Sequence, residues 1–442
     1  MLYSMKYIIC IVLFVSCAVQ KKLHTTSTVL TGFVYDTVFN LAHVGVSVYD
    51  PADSQYIYDF QGDKFFIPAS NTKIITCYAA MKYLKHILAG IKYFENDTAV
   101  YLIPTGDPTL LHRDFPSQPV IKFLQQQQKK LFITDGIFKD KELGRGWSWD
   151  DYNESYMTER NALPVYGNTI KWIQEKVQGQ GSNPQESISV FSDPEVNWKL
   201  RFETAAENKE FHVRRERTLN IFHVNEGRDD HSEQQVPFIV NGIRSALELL
   251  TDTIGKEIKV TEHFLTANPV IKEIWSQPVD SVLRPMMYES NNFFAEQLLE
   301  MVAAERTGVM NDELVTDTVL KTDFAELRQR PVWVDGSGMS RYNMFSPHIF
   351  IRVMDKMKNE FGMDRIRSVF PPGDSGTLKG FYKDTASYLY AKTGSMSGVI
   401  ALSGFLYKKN GRLLLFSILV NNYKGNSLAI KRRMEKFIND IR

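Results

Sequence analysis

Ile67-Pro68-Ala69-Ser70-Asn71-Thr72-Lys73 opens an apolar, helix-patterned run, and the reading of this stretch decides the fold. A serine followed three residues later by a lysine places hydroxyl and amine on one helix face, about one turn apart. Serine is a weak nucleophile until a base takes its proton, and an amine kept neutral by burial or by other cations is such a base. The spacing alone favours a plainer reading, in which Ser70 caps a helix and Lys73 is solvated. The rest of the chain has to decide between them.

At 442 residues the chain is too long for one compact core, and two or three domains are expected. The 52 basic and 51 acidic residues leave a formal charge of +1, so no overall field points to nucleic acid or another polyanion. The basic run Arg214-Arg215-Glu216-Arg217 is broken by an acid and followed by acidic Glu226 to Asp230, which predicts a solvated face. The nine histidines include no His-Glu-x-x-His, and His223 with His231 lack companion ligands, so no metal is expected.

Residues 1–17 have the pattern of an export signal: Lys6, then the apolar run Tyr7 to Val15, too short to span a bilayer as a mature helix. Phe14-Val15-Ser16-Cys17 resembles a bacterial lipobox with phenylalanine in place of the usual leucine. The expectation is an exported, periplasmic protein, lipid-anchored at Cys17 or else simply cleaved or anchored by the segment itself. Of the three cysteines only Cys77 belongs to the mature body, which excludes an internal disulfide and predicts a buried small hydrophobe.

Val44–Tyr49 and Tyr56–Phe60, separated by Pro51-Ala52-Asp53-Ser54, predict a hairpin. A helix is predicted from Ser70 to Leu88 with Gly90 as its stop. Residues 91–279 loosen into short strands and loops, an inserted and mostly β region, with Gln178–Gln185 and Glu226–Gln235 as exposed loops. Helical periodicity returns at Ser290 and closes at Gly308; a further helix opens at Ser346-Pro347 and ends near Gly362. Tyr388–Ala391, Val399–Tyr407 and Leu413–Val420 predict strands, the last two joined through Asn410-Gly411, and Ser427–Ile441 predicts a final helix burying Leu428, Ile430 or Met434, Phe437 and Ile441.

Two further stretches change the standing of Ser70. Ser290-Asn291-Asn292 supplies a hydroxyl and, two residues on, a carboxamide at a helix start. Lys392-Thr393-Gly394-Ser395 follows a predicted strand with a cation, two hydroxyls and a glycine that admits close backbone approach. In this order the three motifs match the signature of penicillin-recognising serine enzymes. Within that superfamily the chain resembles the class C low-molecular-mass penicillin-binding proteins, the D-alanyl-D-alanine carboxypeptidase/endopeptidases of peptidase family S13. The resemblance spans nearly the whole mature chain: Gly106-Asp107-Pro108-Thr109-Leu110, the Trp147-Ser148-Trp149-Asp150-Asp151 stretch, Asp335-Gly336-Ser337-Gly338-Met339-Ser340-Arg341 and Ala401-Leu402-Ser403-Gly404-Phe405 follow the family's blocks in order. Half the chain separates Ser70 from Ser290, more than a compact β-lactamase needs.

The resemblance implies an α/β fold: a transpeptidase-like domain from residues 22–90 and 280–442, its antiparallel sheet flanked by helices, with residues 91–279 inserted between the first two motifs. It implies that Ser70 attacks the penultimate D-Ala carbonyl, Lys73 takes its proton, and Ser290, hydrogen-bonded toward Lys73 and Lys392, relays a proton to the leaving amine. Asn292 would hold the substrate amide, Lys392 and Thr393 the terminal carboxylate, and the N–H groups of Ser70 and Ser395 the oxyanion, with Gly394 leaving room. Asp151 and Tyr156 would receive the amino-bearing side chain of a peptidoglycan stem peptide, although Asp151 also fits a helix or turn cap. Arg341 fits a substrate carboxylate or a structural ion pair. Ser397 stands where some family members carry a longer polar residue. Trp147 and Trp149 are expected as core anchors rather than sugar platforms, and Asp335, Ser337 and Gly338 as loop architecture. β-Lactams would be covalent inhibitors, and the resemblance implies no cofactor. The alternatives are a β-lactamase, which acylates with the same residues, and a non-catalytic wall-binding protein, against which the intact motifs argue.

Overall fold

The structure, a computed structural model, describes residues 28–178, 186–203, 210–262 and 269–442. The leader with Cys17, and nearly all of the predicted 178–185 loop, lie outside the described residues. No helix among the described residues is long and apolar enough to cross a membrane.

Strands from both ends of the chain form one five-stranded antiparallel sheet in the order Leu389–Met396, Val399–Tyr407, Leu413–Asn421, His43–Asp50, Gln55–Phe60. The central strands are buried on both faces, which is why Val399–Tyr407 and Leu413–Asn421 are almost continuously apolar. One face packs on the C-terminal helix Ser427–Ile441 and the short helix Thr28–Val34. The other packs on Lys73–Tyr83, Val279–Tyr288, Asn292–Thr307 and the helical stretch Pro347–Val369. A row of polar residues crosses this sheet in register, Lys392 opposite Ser403, Ser403 opposite Ser417, Ser417 opposite Ser47 and Ser47 opposite Asp59. Asn71 donates to Ser403 Oγ at 2.7 Å and Ser403 to Ser417 Oγ at 2.8 Å, which docks the Ser70 turn on the sheet.

The region between the first two motifs is organised round a second five-stranded sheet, in which Ile87–Glu95 and Lys272–Pro278 pair antiparallel. Two three-stranded sheets and the helices Pro119–Gln126 and Arg244–Ile254 complete it around a core that includes Trp172, Phe222 and Phe238.

Several expectations need correction. The helix after Ser70 ends at Tyr83, with Leu84 already extended, because Ile87–Glu95 is drawn into the second sheet. Gly90 is no helix stop but a strand residue, where a Cβ would come within 2.6 Å of Val120 Cγ2. The helices Val279–Tyr288 and Asp312–Thr322 lie outside the predicted elements, although Asn311 caps the second and Asp312 and Glu313 occupy its first turn. Within Glu226–Gln235 the chain turns from loop to strand at His231. Arg215 is buried rather than solvated, donating to the carbonyls of Pro237 and Glu216 at 2.8 and 2.7 Å. Leu428 is exposed, whereas Ile430, Met434, Phe437 and Ile441 are buried as expected. Gly362, at φ 75°, breaks the helix opened by Ser346, whose side chain caps Ile349 N–H, and the chain resumes helix to Val369.

Candidate active site

Ser70 lies in a single 3₁₀ turn, Ala69–Thr72, that runs directly into the helix starting at Lys73. Ala69 and Ser290 both have positive φ, 47° and 62°, a conformation that L side chains adopt only at a cost of roughly 1–3 kcal/mol. Two of the predicted catalytic segments therefore hold strained backbone, each locked by its surroundings. Gly338 and Gly394 permit this packing: a Cβ on Gly338 would lie 2.0 Å from the Ala69 carbonyl oxygen, and one on Gly394 would lie 2.6 Å from that of Pro68.

Lys73 is fully buried, and its Nζ donates to Ser70 Oγ at 3.1 Å, Asn292 Oδ1 at 2.7 Å and the Ser337 carbonyl at 2.8 Å. Burial drives its pKa down to about 7, although the carboxylates of Glu296 and Asp335 pull the other way. An amine with that pKa is half neutral at neutral pH, which suits a general base. Lys73 is thus not solvated, and Ser70 is not merely a cap.

Lys392 is also fully buried, donating to Ser290 Oγ at 2.9 Å and to the Thr393 carbonyl at 2.8 Å. Burial first, then repulsion from Lys73, holds its pKa well below the usual lysine range. Ser290 is therefore linked to Lys392 as expected, whereas the three acceptors of Lys73 do not include it. Asn292 also departs from expectation: its Oδ1 serves Lys73, and its Nδ2 donates to the Tyr156 carbonyl at 3.2 Å. Thr393 Oγ1 donates to Thr377 Oγ1 at 2.6 Å, a solvent-exposed bond.

Beside Ser70 a cavity of about 550 Å³ is lined by Trp147, Asp151, Tyr156, Arg341, Ser395 and Ser397, among others. Burial and the Asp151 carboxylate, which accepts a hydrogen bond from the phenol, push the Tyr156 pKa up to about 12. Arg341 donates to the Ser397 carbonyl at 3.2 Å and makes no ion pair among the described residues. Trp147 anchors this wall by donating to Asp335 Oδ2 at 2.9 Å. Trp149 is no core anchor: it is 64% exposed, under the Arg217 guanidinium at 4.9 Å. Asp335 is loop architecture, accepting from Gly338 N at 2.9 Å, Ser340 N at 2.6 Å and Asn343 Nδ2 at 2.7 Å.

Residues 30–440 match the D-Ala-D-Ala carboxypeptidase 3 (S13) family. The chain belongs to that family. It is 22% identical to the D-alanyl-D-alanine carboxypeptidase DacB of Haemophilus influenzae, over 94% of this chain and 96% of the relative. It is 23% identical to the D-alanyl-D-alanine carboxypeptidase of Actinomadura sp. strain R39, over 86% of this chain and 78% of the relative. The crystal structure of penicillin binding protein 4 (dacB) from Haemophilus influenzae superposes with a TM-score of 0.73 at 20% identity, covering 94% of this chain and 98% of that one.

The S13 chain contains a further structural centre that sequence reasoning missed. Arg160, 2% exposed, lies 2.7 Å from Asp312, 3.4 Å from both Glu296 and Glu300, and 3.3 Å from Asp140. Four carboxylates around one guanidinium cannot all ionise in a buried site, and burial pushes the Glu300 pKa well up and that of Glu296 to about 7. Glu296 Oε1 accepts from Ser337 N at 2.7 Å, so the centre reaches the loop whose carbonyl holds Lys73. A lone arginine between short loops offers no pattern from which this could be read.

Proposed function

We propose that this protein is a serine DD-carboxypeptidase and DD-endopeptidase of peptidoglycan, removing terminal D-Ala from stem peptides and opening D-Ala-to-diamino-acid cross-links. The observation that carries the reading is the buried Lys73 amine, held 3.1 Å from Ser70 Oγ with its pKa brought to about 7. Neutral Lys73 takes the Ser70 proton as Oγ bonds to the carbonyl carbon of the penultimate D-Ala. The N–H groups of Ser70 and Ser395 receive the oxyanion, each worth roughly 3 kcal/mol of transition-state stabilisation. The C–N bond then breaks and the leaving amine receives the proton that Lys73 took from Ser70, passed on by way of Ser290; water hydrolyses the acyl-enzyme, its hydroxyl going to the acyl carbon and its proton to Ser70 Oγ.

Asn292 orients Lys73 through its oxygen and meets the substrate amide through its nitrogen side. Asp151 and Tyr156 receive the amino group of the stem-peptide side chain, and Arg341 a carboxylate. Penicillins acylate Ser70 as substrate mimics. The protein acts outside the cytoplasm, in the periplasm, with Cys17 as the site of lipid attachment.

Digestion of purified muropeptides tests the reading. Release of D-Ala from pentapeptides, and of monomers from cross-linked dimers, is expected. Rapid penicillin turnover without either product would instead make the protein a β-lactamase.

A further inference from the structure

The expected carboxylate clamp, Lys392, is poorly suited to that task. Its ammonium is fully buried, two of its bonds go to Ser290 and Thr393, and its charge is disfavoured by both burial and Lys73. Lys392 is not among the residues that line the cleft beyond Thr393, and a carboxylate there would be met most directly by a cation that faces it. On the Thr393 side of Ser70 the active site continues into a cleft of about 380 Å³. Its lining includes Ser70, Thr377, Thr393, Phe381, Met434 and Lys431.

Lys431 lies on the C-terminal helix among three consecutive bases, and the other two are spoken for. Arg432 pairs with Glu435 at 2.7 Å and lies over the Phe381 ring at 4.3 Å; Arg433 pairs with Asp36 at 2.7 Å. The half-buried Lys431 has no hydrogen bond or ion pair among the described residues and lines the cleft instead. The wall around it is fixed by the Arg432–Phe381 stack and by Tyr382 N–H donating to Glu435. The volume lies in the range that encloses drug-sized ligands, roughly 300–1,000 Å³, and exceeds the needs of a single alanine.

We propose that this cleft is the leaving-group pocket, in which Lys431 recognises the carboxylate beside the departing amine and the Thr377–Thr393 hydroxyl pair supplies the neighbouring hydrogen bonds. The assignment rests on the DD-peptidase reading above. It extends that reading by giving the larger leaving group, a diamino-acid residue of a neighbouring stem peptide, a place to bind. Lys431 is a specificity residue and takes no part in forming or breaking bonds.

The test compares a synthetic acyl-D-Ala-D-Ala peptide with its C-terminal carboxamide on wild type, Lys431→Gln and Lys431→Arg, with thermal midpoints confirming the fold of each. Wild type is expected to prefer the free acid. Lys431→Gln should lose about tenfold in kcat/KM on the acid, through KM, and little on the amide, while Lys431→Arg keeps the preference. An unchanged acid-to-amide ratio in Lys431→Gln, with an active wild type, overturns the assignment alone. A wild type that releases D-Ala or its amide from neither peptide overturns the peptidase reading and the assignment with it.

Discussion

Lys73 Nζ donates to Asn292 Oδ1 across 2.7 Å, joining the first and second motifs by a single hydrogen bond. Asn292→Ala removes that acceptor and leaves the amine free to turn from Ser70. Acylation by fluorescent penicillin should slow by about 10²-fold, within the span attributed to general-base catalysis, with little change in thermal stability. Wild-type acylation rates in the variant would remove Asn292 from the account.

Proton abstraction requires neutral Lys73, whose pKa is lowered to about 7. The protonated form prevails below that value and is inactive as a base; the neutral form prevails above it. The acylation rate constant should therefore climb through pH 7 and level off above pH 8, with roughly one-tenth of the plateau at pH 6. A rate that stays flat from pH 5.5 to 8.5 would show that another group, or none, takes the proton.

Arg160 neutralises part of a buried cluster of Asp140, Glu296, Glu300 and Asp312. Arg160→Ala strands those carboxylates and should cost about 3–5 kcal/mol of stability, read as a shift in the urea midpoint. Because Glu296 also holds Ser337 N–H, penicillin acylation should fall in whatever folded protein remains. Arg160→Lys should recover part of the stability.

Gly338, at φ 85°, passes so close to the Ala69 carbonyl that no Cβ fits. Gly338→Ala should displace the Ser70 turn and lower penicillin acylation of the folded protein at least tenfold. Equal acylation rates would mean that the turn tolerates the shift.

Most of the catalytic set was legible because short motifs mark it: Ser70 and Ser290 stand just before helices, and Lys392 sits within an edge strand beside the Thr393-Gly394-Ser395 run. The alternation of Val44–Tyr49 and the Asn410-Gly411 turn likewise gave the sheet away. What failed was non-local. Ile87–Glu95 has apolar spacing that continues a helix as readily as a strand, and it becomes a strand because Lys272–Pro278 pairs with it. The choice of Asn292 over Ser290 as partner of Lys73 depends on side-chain direction, which spacing does not encode. Arg160, Trp149 and Arg215 owe their environments to folding partners scattered through the chain, so composition alone misplaces them.

The central claim is that Ser70 is the nucleophile. Peptide mapping by mass spectrometry after brief exposure to benzylpenicillin tests it most directly. The penicilloyl group should appear only on the peptide containing Ser70 and vanish in Ser70→Ala; an adduct on another residue, or one that persists in the variant, would contradict the account.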